Sequence, residues 1–199
     1  SVVVIDEVHS FDEHLFSSLR QFLQHFDVPV LCMTATLQAG RLEALKACGL
    51  QVSADKPEDL QLMADSPRYR VSRTTAERAG NIARQALQSG KRVLWVVNLV
   101  RRAQELAVRF GLGTTQNHQH KEPWSVLCYH SRFTLEHRKQ RHNEIVEAFK
   151  STGGAVLGIT TQVCEMSLDL DADVLITEDA PISSIIQRLG RCNRRIDST

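Results

Sequence analysis

Continuous apolar runs alternate with amphipathic helical patterns along this chain, and that alternation limits the fold more than any other feature. Unbroken apolar runs are typical of strands that are covered on both faces of a parallel sheet. The predicted strands are Val2–Ile5, Val28–Met33, Arg92–Val97, Ser125–Tyr129, Ala155–Thr160 and Asp173–Ile176. The predicted helices are Glu13–His25, Leu37–Ala47, Thr75–Ser89, Leu99–Phe110 and Leu135–Lys150. Strands that alternate with helices predict an α/β fold built on doubly wound parallel sheets.

The chain divides into two predicted units, residues 1–54 and residues 68–199. The polar stretch between them, residues 55–67, contains two prolines and is predicted to be a linker. The first unit has only two predicted strands, which are too few for an independent α/β domain. The sequence also starts at Ser1, next to a predicted core strand. We therefore expect the chain to be a piece of a longer protein.

Composition excludes several classes of protein. The 24 basic and 23 acidic residues nearly cancel, so any nucleic-acid surface must be local. The sequence has no apolar run long enough to span a membrane and no signal-peptide pattern. Its five cysteines are odd in number, widely spaced and without a CxxC pair, which fits a reducing cytoplasm. His118 and His120 match no metal-ligand spacing.

Two adjacent carboxylates, Asp6 and Glu7, directly follow the first predicted strand. Ligands of open α/β sheets bind at the carboxyl ends of the strands. Two acids placed there can divide the work, because one can hold Mg²⁺ while the other orients and deprotonates an attacking water. The alternative is an ordinary solvated loop.

Hydroxyl residues follow two other predicted strands. Thr34 and Thr36 could bond to the carboxylates and relay their state, although Thr36 could instead cap the helix predicted from Leu37. Thr160 and Thr161 end a later strand and precede a polar turn, where hydroxyl and free N–H groups suit phosphate or sugar contacts.

An arginine array lies near the C-terminus, with four arginines within residues 188–195. On a continuous helix, Arg188, Arg191 and Arg195 would share one face, and Gly190 would let the segment bend or approach a ligand. Phosphate is the natural partner of clustered guanidinium groups. The alternatives are a solvated basic helix and a general nucleic-acid patch.

The order of these segments resembles that of superfamily 2 helicases. The segments that resemble their motifs II to VI are Asp6–His9 (a DExH box), Thr34–Thr36, Val93–Asn98, Thr161–Asp169 and Gln187–Arg194. Three narrower features resemble the type I CRISPR-associated helicase-nuclease family. They are Tyr129–Phe133 followed by a basic helix, Glu165–Asp169, and Ile176–Ile182 leading to an Asn before the last motif VI arginine.

The resemblance implies a motor of two RecA-like domains, with residues 1–54 as the C-terminal part of the first and residues 68–199 as most of the second. In such a motor ATP lies in the cleft between the domains, single-stranded DNA crosses both, and a CRISPR surveillance complex recruits the protein. Asp6 would hold Mg²⁺ and Glu7 would activate water. The resemblance also implies that Arg191 and Arg194 contact the γ-phosphate and that Asp169 and Arg188 make other contacts with the nucleotide. Coupling of the nucleotide to movement is implied for His9, Gln187, Thr34 and Thr36. Nucleic-acid contact is implied for Thr161, His130, Ser131 and Arg132.

Two expected elements are absent from these residues. No Gly-x-x-x-x-Gly-Lys-Ser/Thr phosphate loop occurs, so residues 1–199 alone are expected to be inactive as an ATPase. No adjacent His-Asp pair occurs either, so no nuclease site is assigned. The alternatives are another superfamily 2 DExH helicase that acts on RNA or DNA, and a nucleic-acid-binding remnant without catalysis.

Overall fold

The computed structural model describes residues 2–34, 37–52, 69–111, 123–151 and 154–193, without the side chains of Met166 and Ser167. The chain separates into two compact units, Ser1–Ser66 and Pro67–Thr199. The predicted linker, residues 55–67, lies outside the described residues, as do Thr36, His118, His120, Arg194 and Arg195.

The first unit contains a two-stranded parallel sheet. Strand β1 (Val3–Ile5) pairs with β2 (Val30–Cys32), and Val4 lies opposite Leu31. Helix α1 (Glu13–His25) connects them, and the Asp12 side chain caps it by accepting the Leu15 N–H at 2.8 Å. Helix α2 (Ala39–Lys46) follows β2. Its N-cap is Gln38, while Thr36, the alternative cap considered from the sequence, lies outside the described residues.

The second unit is a four-stranded parallel sheet with helices on both faces. Its elements are α3 (Ala76–Gln88), β3 (Arg92–Val96), α4 (Val100–Arg109), β4 (Trp124–Tyr129), α5 (Leu135–Lys150), β5 (Ala155–Thr160), α6 (Val163–Ser167), β6 (Val174–Thr177) and α7 (Ile182–Leu189). The strand order is β4-β5-β3-β6, and every pairing is parallel. The predicted α/β parallel-sheet class is confirmed.

Two apolar layers enclose this sheet. Val93, Trp95 and Val97 pack with α3 and α4 on one face, while Leu94 and Val96 pack with α5 and the residues after α6 on the other. Strand β5 is buried at every position. The side chains on both faces of the central strands are therefore apolar, which explains the unbroken hydrophobic runs of the sequence.

The C-terminal arginine segment differs from the prediction, because helix α7 ends at Leu189 and Gly190 is its C-cap. The chain then turns back and pairs with Ala172, whose N–H donates to the Arg191 carbonyl at 2.9 Å and whose carbonyl accepts the Asn193 N–H at 2.9 Å. Arg191 thus lies beyond the helix and does not share a helical face with Arg188. None of the helices in the described part of the chain has the length and apolar character needed to cross a bilayer.

Candidate functional site

The carboxyl end of β1 presents Asp6 and Glu7, as the sequence predicted. Asp6 is exposed, and its Oδ1 accepts the Glu7 N–H at 2.8 Å. Glu7 has a left-handed backbone with a φ of 54° and precedes a single 3₁₀ turn, Val8–Ser10. A non-glycine residue in that region stores about 1–3 kcal/mol of strain, and such strain is concentrated at functional sites. The fully buried Val8, whose N–H donates to the Met33 carbonyl at 3.3 Å, holds the turn in place.

His9 connects Glu7 to the end of β2. Its Nδ1 lies 3.1 Å from Oε2 of Glu7 and 3.1 Å from Oγ1 of Thr34. The His9 side chain is largely buried, whereas that of Glu7 is half exposed. Thr34 therefore reaches the carboxylate through the imidazole. A path from hydroxyl to acid was expected from the sequence, but the intermediary histidine was not.

Asp6 fits a hard divalent cation, although the described part of the chain forms no preformed cage. Among the described residues no group of three or more His, Cys, Asp or Glu side chains could hold a metal ion. Magnesium is commonly held by one or two carboxylates together with substrate phosphates and waters. With Oδ1 of Asp6 engaged by the backbone, Oδ2 is the oxygen placed for such a ligand.

In the second unit, the carboxyl ends of β3 and β6 are joined by a network of polar contacts. The Glu178 carboxylate accepts the Asn98 N–H at 2.7 Å and pairs with Arg102. The Asn98 side chain donates to the Asp179 carbonyl at 2.8 Å. Gln162, after β5, donates to the Asn98 carbonyl at 3.2 Å and brings the next loop to the same edge.

Arg188 is the centre of this network, and its side chain is only 1% exposed. Its Nε donates to Oε1 of Glu165 at 2.8 Å, and its Nη2 donates to Oδ1 of Asn98 at 3.0 Å. Its Nη1 donates to Oγ1 of Thr177 at 2.7 Å and to the Glu178 carbonyl at 3.1 Å. A buried guanidinium with these partners is not placed to bind a nucleotide. The nucleotide contact expected of Arg188 is therefore corrected to an internal structural contact.

Among the other residues of the second unit that are expected near a nucleotide, Arg191 contacts this network directly. Arg191 is partly buried and donates from Nη2 to the Glu165 carbonyl at 2.8 Å. Gln187 is partly exposed on α7, and Asp169 is exposed after α6. Their contacts with nucleotide stay predictions, and Arg194 lies outside the described residues.

The segment that follows β4 separates into exposed and buried residues. Ser131 and Arg132 are exposed, so they are available to nucleic acid. His130 is buried and stacks on Phe133, with a ring-centroid distance of 4.3 Å, and burial lowers the pKa of its imidazole. Thr161 is also buried. The side chains of His130 and Thr161 do not fit direct contact with nucleic acid in this structure, because neither lies on the surface.

Sequence reasoning placed Glu165, Asn98 and Glu178 within the segments that resemble helicase motifs, but it gave none of the three a role in the site. All three are polar residues just after strand ends or in the short helix that follows β5, a position that could have indicated them. Which of these residues contact one another depends on the strand order β4-β5-β3-β6, which local sequence patterns do not encode.

Comparisons with known proteins agree on one family. The family model described as "CRISPR-associated nuclease/helicase Cas3, C-terminal" matches residues 89–197, more than half of the chain. A putative CRISPR-associated nuclease/helicase Cas3 from Myxococcus xanthus is 42% identical over 200 residues, which cover 97% of this chain and 25% of the relative.

Two solved structures have the same fold. The crystal structure of T. fusca Cas3-ATP matches with a TM-score of 0.71 and 25% identity, over 98% of this chain and 27% of that one. A chain in a CRISPR RNA-guided surveillance complex, pre-nicking, matches with a TM-score of 0.68 and 24% identity, over 98% of this chain and 29% of that one. This chain thus spans about a quarter of the length of the relatives that it matches. Together with the acid pair and the parallel-sheet units, the family match shows that the chain belongs to the Cas3 family of CRISPR-associated nuclease/helicases.

Proposed function

We propose that this chain contributes to an ATP-dependent translocase or helicase that acts on single-stranded DNA in CRISPR interference. The observation that carries the proposal is the acid pair at the end of β1, in which Glu7 is joined through His9 to Thr34. In a member of the Cas3 family this geometry suits nucleotide hydrolysis that is coupled, through His9, to the end of the neighbouring strand β2. ATP is the proposed nucleotide, since T. fusca Cas3 has been solved with ATP.

The proposed chemistry divides the work among a few side chains. Asp6 would hold Mg²⁺, which supplies charge neutralisation for the phosphates when it is bound. Glu7 orients the attacking water and accepts its proton, and its exposed carboxylate is accessible to that water. Arg191 and Arg194 stabilise the charge that develops on the γ-phosphate, and Asp169 contacts the ribose. His9 and Gln187 couple the nucleotide state to movement.

Nucleic acid is proposed to contact the exposed residues Ser131 and Arg132, after β4. His130 would act there by supporting the loop, because its ring stacks on Phe133 inside the protein. Thr161 would likewise act through its position, since its carbonyl accepts the Cys164 N–H at 3.2 Å and shapes the turn after β5. Recruitment by a CRISPR surveillance complex is proposed as well, because a chain of the same fold occurs in such a complex.

The test is nucleic-acid-stimulated ATP hydrolysis by the complete protein. Single-stranded DNA should stimulate turnover more than RNA of the same sequence. Glu7→Gln should lower the rate by about 10²–10⁴-fold, the usual contribution of a general base, while DNA binding is retained. Residues 1–199 expressed alone should show no stimulated turnover, because they contain no phosphate loop.

Three results would count against the proposal. Equal stimulation by RNA would favour another kind of DExH helicase. DNA binding without any turnover by the complete protein would favour a binding module. If residues 1–199 alone hydrolyse ATP and Glu7→Gln abolishes this activity, the claim that hydrolysis requires a phosphate loop outside these residues is wrong.

A further inference from the structure

We propose that Arg188 is a positioning residue, which acts through Glu165 to fix the guanidinium of Arg191. The proposal rests on the proposed function, in that the aligned group is one of the arginines expected to act on the γ-phosphate. It gives Arg188 a role different from the nucleotide contact that its place in the arginine array predicted.

Glu165 receives both arginines, at two different groups. Its carboxylate Oε1 accepts Nε of Arg188 at 2.8 Å, and its backbone carbonyl accepts Nη2 of Arg191 at 2.8 Å. The side chain of Arg188 is 1% exposed and that of Glu165 is 13% exposed, so solvent screens this pair little. Because one residue carries both acceptors, a movement of Glu165 moves the acceptor of Arg191 with it.

The helix that carries Glu165 cannot hold this geometry alone. Helix α6 has only five residues, and isolated helices of that length are unstable in water. Arg188 anchors the helix in addition to the buried Cys164, because its remaining donors bind Asn98 after β3 and Thr177 at the end of β6. The guanidinium therefore connects α6 to the end of β6 and to the loop that follows β3.

Lysine cannot replace Arg188 in this arrangement. An ammonium group keeps the charge but lacks the planar fork that reaches Glu165, Asn98 and Thr177 together. Glu165→Gln breaks the same link from the other side with an isosteric side chain. Both variants leave Arg191 itself unaltered, so any change in its effect on hydrolysis must be transmitted through Glu165.

The chain offers a matched control at the opposite end of the same sheet. Arg92, at the start of β3, bonds the Asp173 carboxylate through Nη2 at 2.9 Å and Nε at 3.2 Å, and donates from Nη1 to the Phe149 carbonyl at 2.8 Å. Arg92→Lys removes a similar fork from the same domain, but Arg92 has no contact with Glu165 or Arg191 among those described.

The experiment compares Arg188→Lys, Glu165→Gln, the double variant and Arg92→Lys in the complete protein. For the first two we expect kcat of DNA-stimulated hydrolysis to fall at least about tenfold, given that a misplacement of ~1 Å can lower a rate by about a hundredfold. The KM for ATP should change by less than about twofold, as expected when an interaction made in the transition state is lost. The double variant should be no slower than the slower single variant, because both changes break one link. Arg92→Lys should lower thermal stability and keep the wild-type kcat.

A second measurement does not depend on activity. The amides of Cys164 and Glu165 close the turn that begins α6, with hydrogen bonds of 3.2 Å and 3.0 Å to Thr161 and Gln162. Their hydrogen exchange should become at least about tenfold faster in Arg188→Lys and Glu165→Gln and stay unchanged in Arg92→Lys, since exchange reports local opening.

The outcomes separate the two proposals. A raised KM for ATP with normal kcat would show that Arg188 contacts the nucleotide, and an equal loss of kcat in Arg92→Lys would show a merely structural role. Either result overturns the inference, as does unchanged exchange in α6. If the wild-type protein has no DNA-stimulated hydrolysis, the proposed function fails and the exchange measurement alone decides whether Arg188 holds α6. If Arg188→Lys does not fold, Glu165→Gln decides by the same criteria.

Discussion

Nδ1 of His9 and Oγ1 of Thr34 lie 3.1 Å apart, although the two residues are separated by 25 positions in the sequence. The same nitrogen lies 3.1 Å from Oε2 of Glu7. When Nδ1 carries the proton it can donate to the carboxylate, and when it does not, it can accept from the hydroxyl. The charge on Glu7 thereby influences which hydrogen bond Thr34 makes, so this contact is a physical route from the acid to the end of β2.

Thr34→Val should weaken this route without disturbing the shape of the site. Loss of one hydrogen bond of about 1 kcal/mol corresponds to an approximately fivefold lower rate of DNA-stimulated ATP hydrolysis. Thr34→Ser keeps the hydroxyl and should keep the rate. In a His9→Ala background Thr34→Val should have no further effect, because the partner is already gone. A rate for Thr34→Val equal to that of Thr34→Ser would argue against the relay.

Gly158, in β5, has no room for a side chain. A Cβ at this position would lie 2.8 Å from Cε2 of Phe149 and 3.2 Å from Cδ1 of Ile145, both on α5. Gly158→Ala should therefore destabilise the second unit by about 1–3 kcal/mol, as overpacked cores do. Denaturant unfolding followed by the fluorescence of Trp95 and Trp124, the two tryptophans of the chain, would measure the loss.

Two companion variants make the test of Gly158 specific. Gly80→Ala in α3 meets only ordinary contacts, at 3.8 Å or more, so it should stabilise the protein by about 0.5–1 kcal/mol through helix propensity. Phe149→Leu combined with Gly158→Ala should recover part of the lost stability, because it shortens the side chain that clashes. A neutral effect of Gly158→Ala would mean that α5 can move away from the sheet.

The elements of the second unit could be predicted largely from sequence, because continuous apolar runs such as Ala155–Thr160 have few alternatives to a buried strand. The acid pair after β1 could be placed at a strand end for the same reason. That the Arg188 side chain points into the domain, and not towards a ligand, could not be predicted. Periodicity shows which residues share a helical face, but whether that face meets solvent, a ligand or buried acceptors depends on tertiary packing. The end of α7 was also missed, because the pairing of Cys192 with Ala172 is a long-range contact.

His130 should make the stability of the second unit depend on pH. Burial lowers the pKa of its imidazole, and the charge of Arg132 lowers it further. Below the ordinary histidine pKa of about 6.5 the unfolded chain binds a proton that the folded chain does not, so stability should fall as the pH drops from about 7.5 to about 5.5. Above about pH 7.5 the stability that neutral His130 contributes is fully present.

Replacing the buried histidine tests this pH dependence. The tryptophan-detected unfolding midpoint of His130→Gln should change less between those two pH values than that of the wild type. His137→Gln, at an exposed position on α5, is the matched control and should retain the wild-type dependence. Equal slopes for the wild type and His130→Gln would show that the loss at low pH comes from other groups.

Arg191 is proposed to act on the γ-phosphate, and the competing role is contact with a DNA phosphate. It lies beyond the end of α7 and donates to the Glu165 carbonyl, so it is held by the protein rather than extended on a solvated helix. An arginine finger acts mainly in the transition state, where charge spreads over the transferring phosphoryl oxygens, and is worth about 10³–10⁵ in rate. A contact with a DNA phosphate would instead contribute to affinity, and would do so in a salt-dependent way.

Arg191→Lys and Arg194→Lys distinguish these two roles in the complete protein. Lysine keeps the charge but not the planar fork, so a finger should lose at least about a hundredfold in hydrolysis rate, a cautious part of the range for such groups. Single-stranded DNA affinity and its salt dependence should then stay close to the wild-type values. A phosphate-of-DNA role predicts the reverse, with weaker DNA binding, a shallower dependence on salt and nearly normal turnover at saturating DNA. Both quantities should be measured on each variant, with Arg132→Lys as a comparison from the proposed DNA-contacting loop. If DNA affinity falls in Arg191→Lys while saturated turnover does not, Arg191 is a nucleic-acid contact and the alignment proposed for Glu165 serves DNA binding instead.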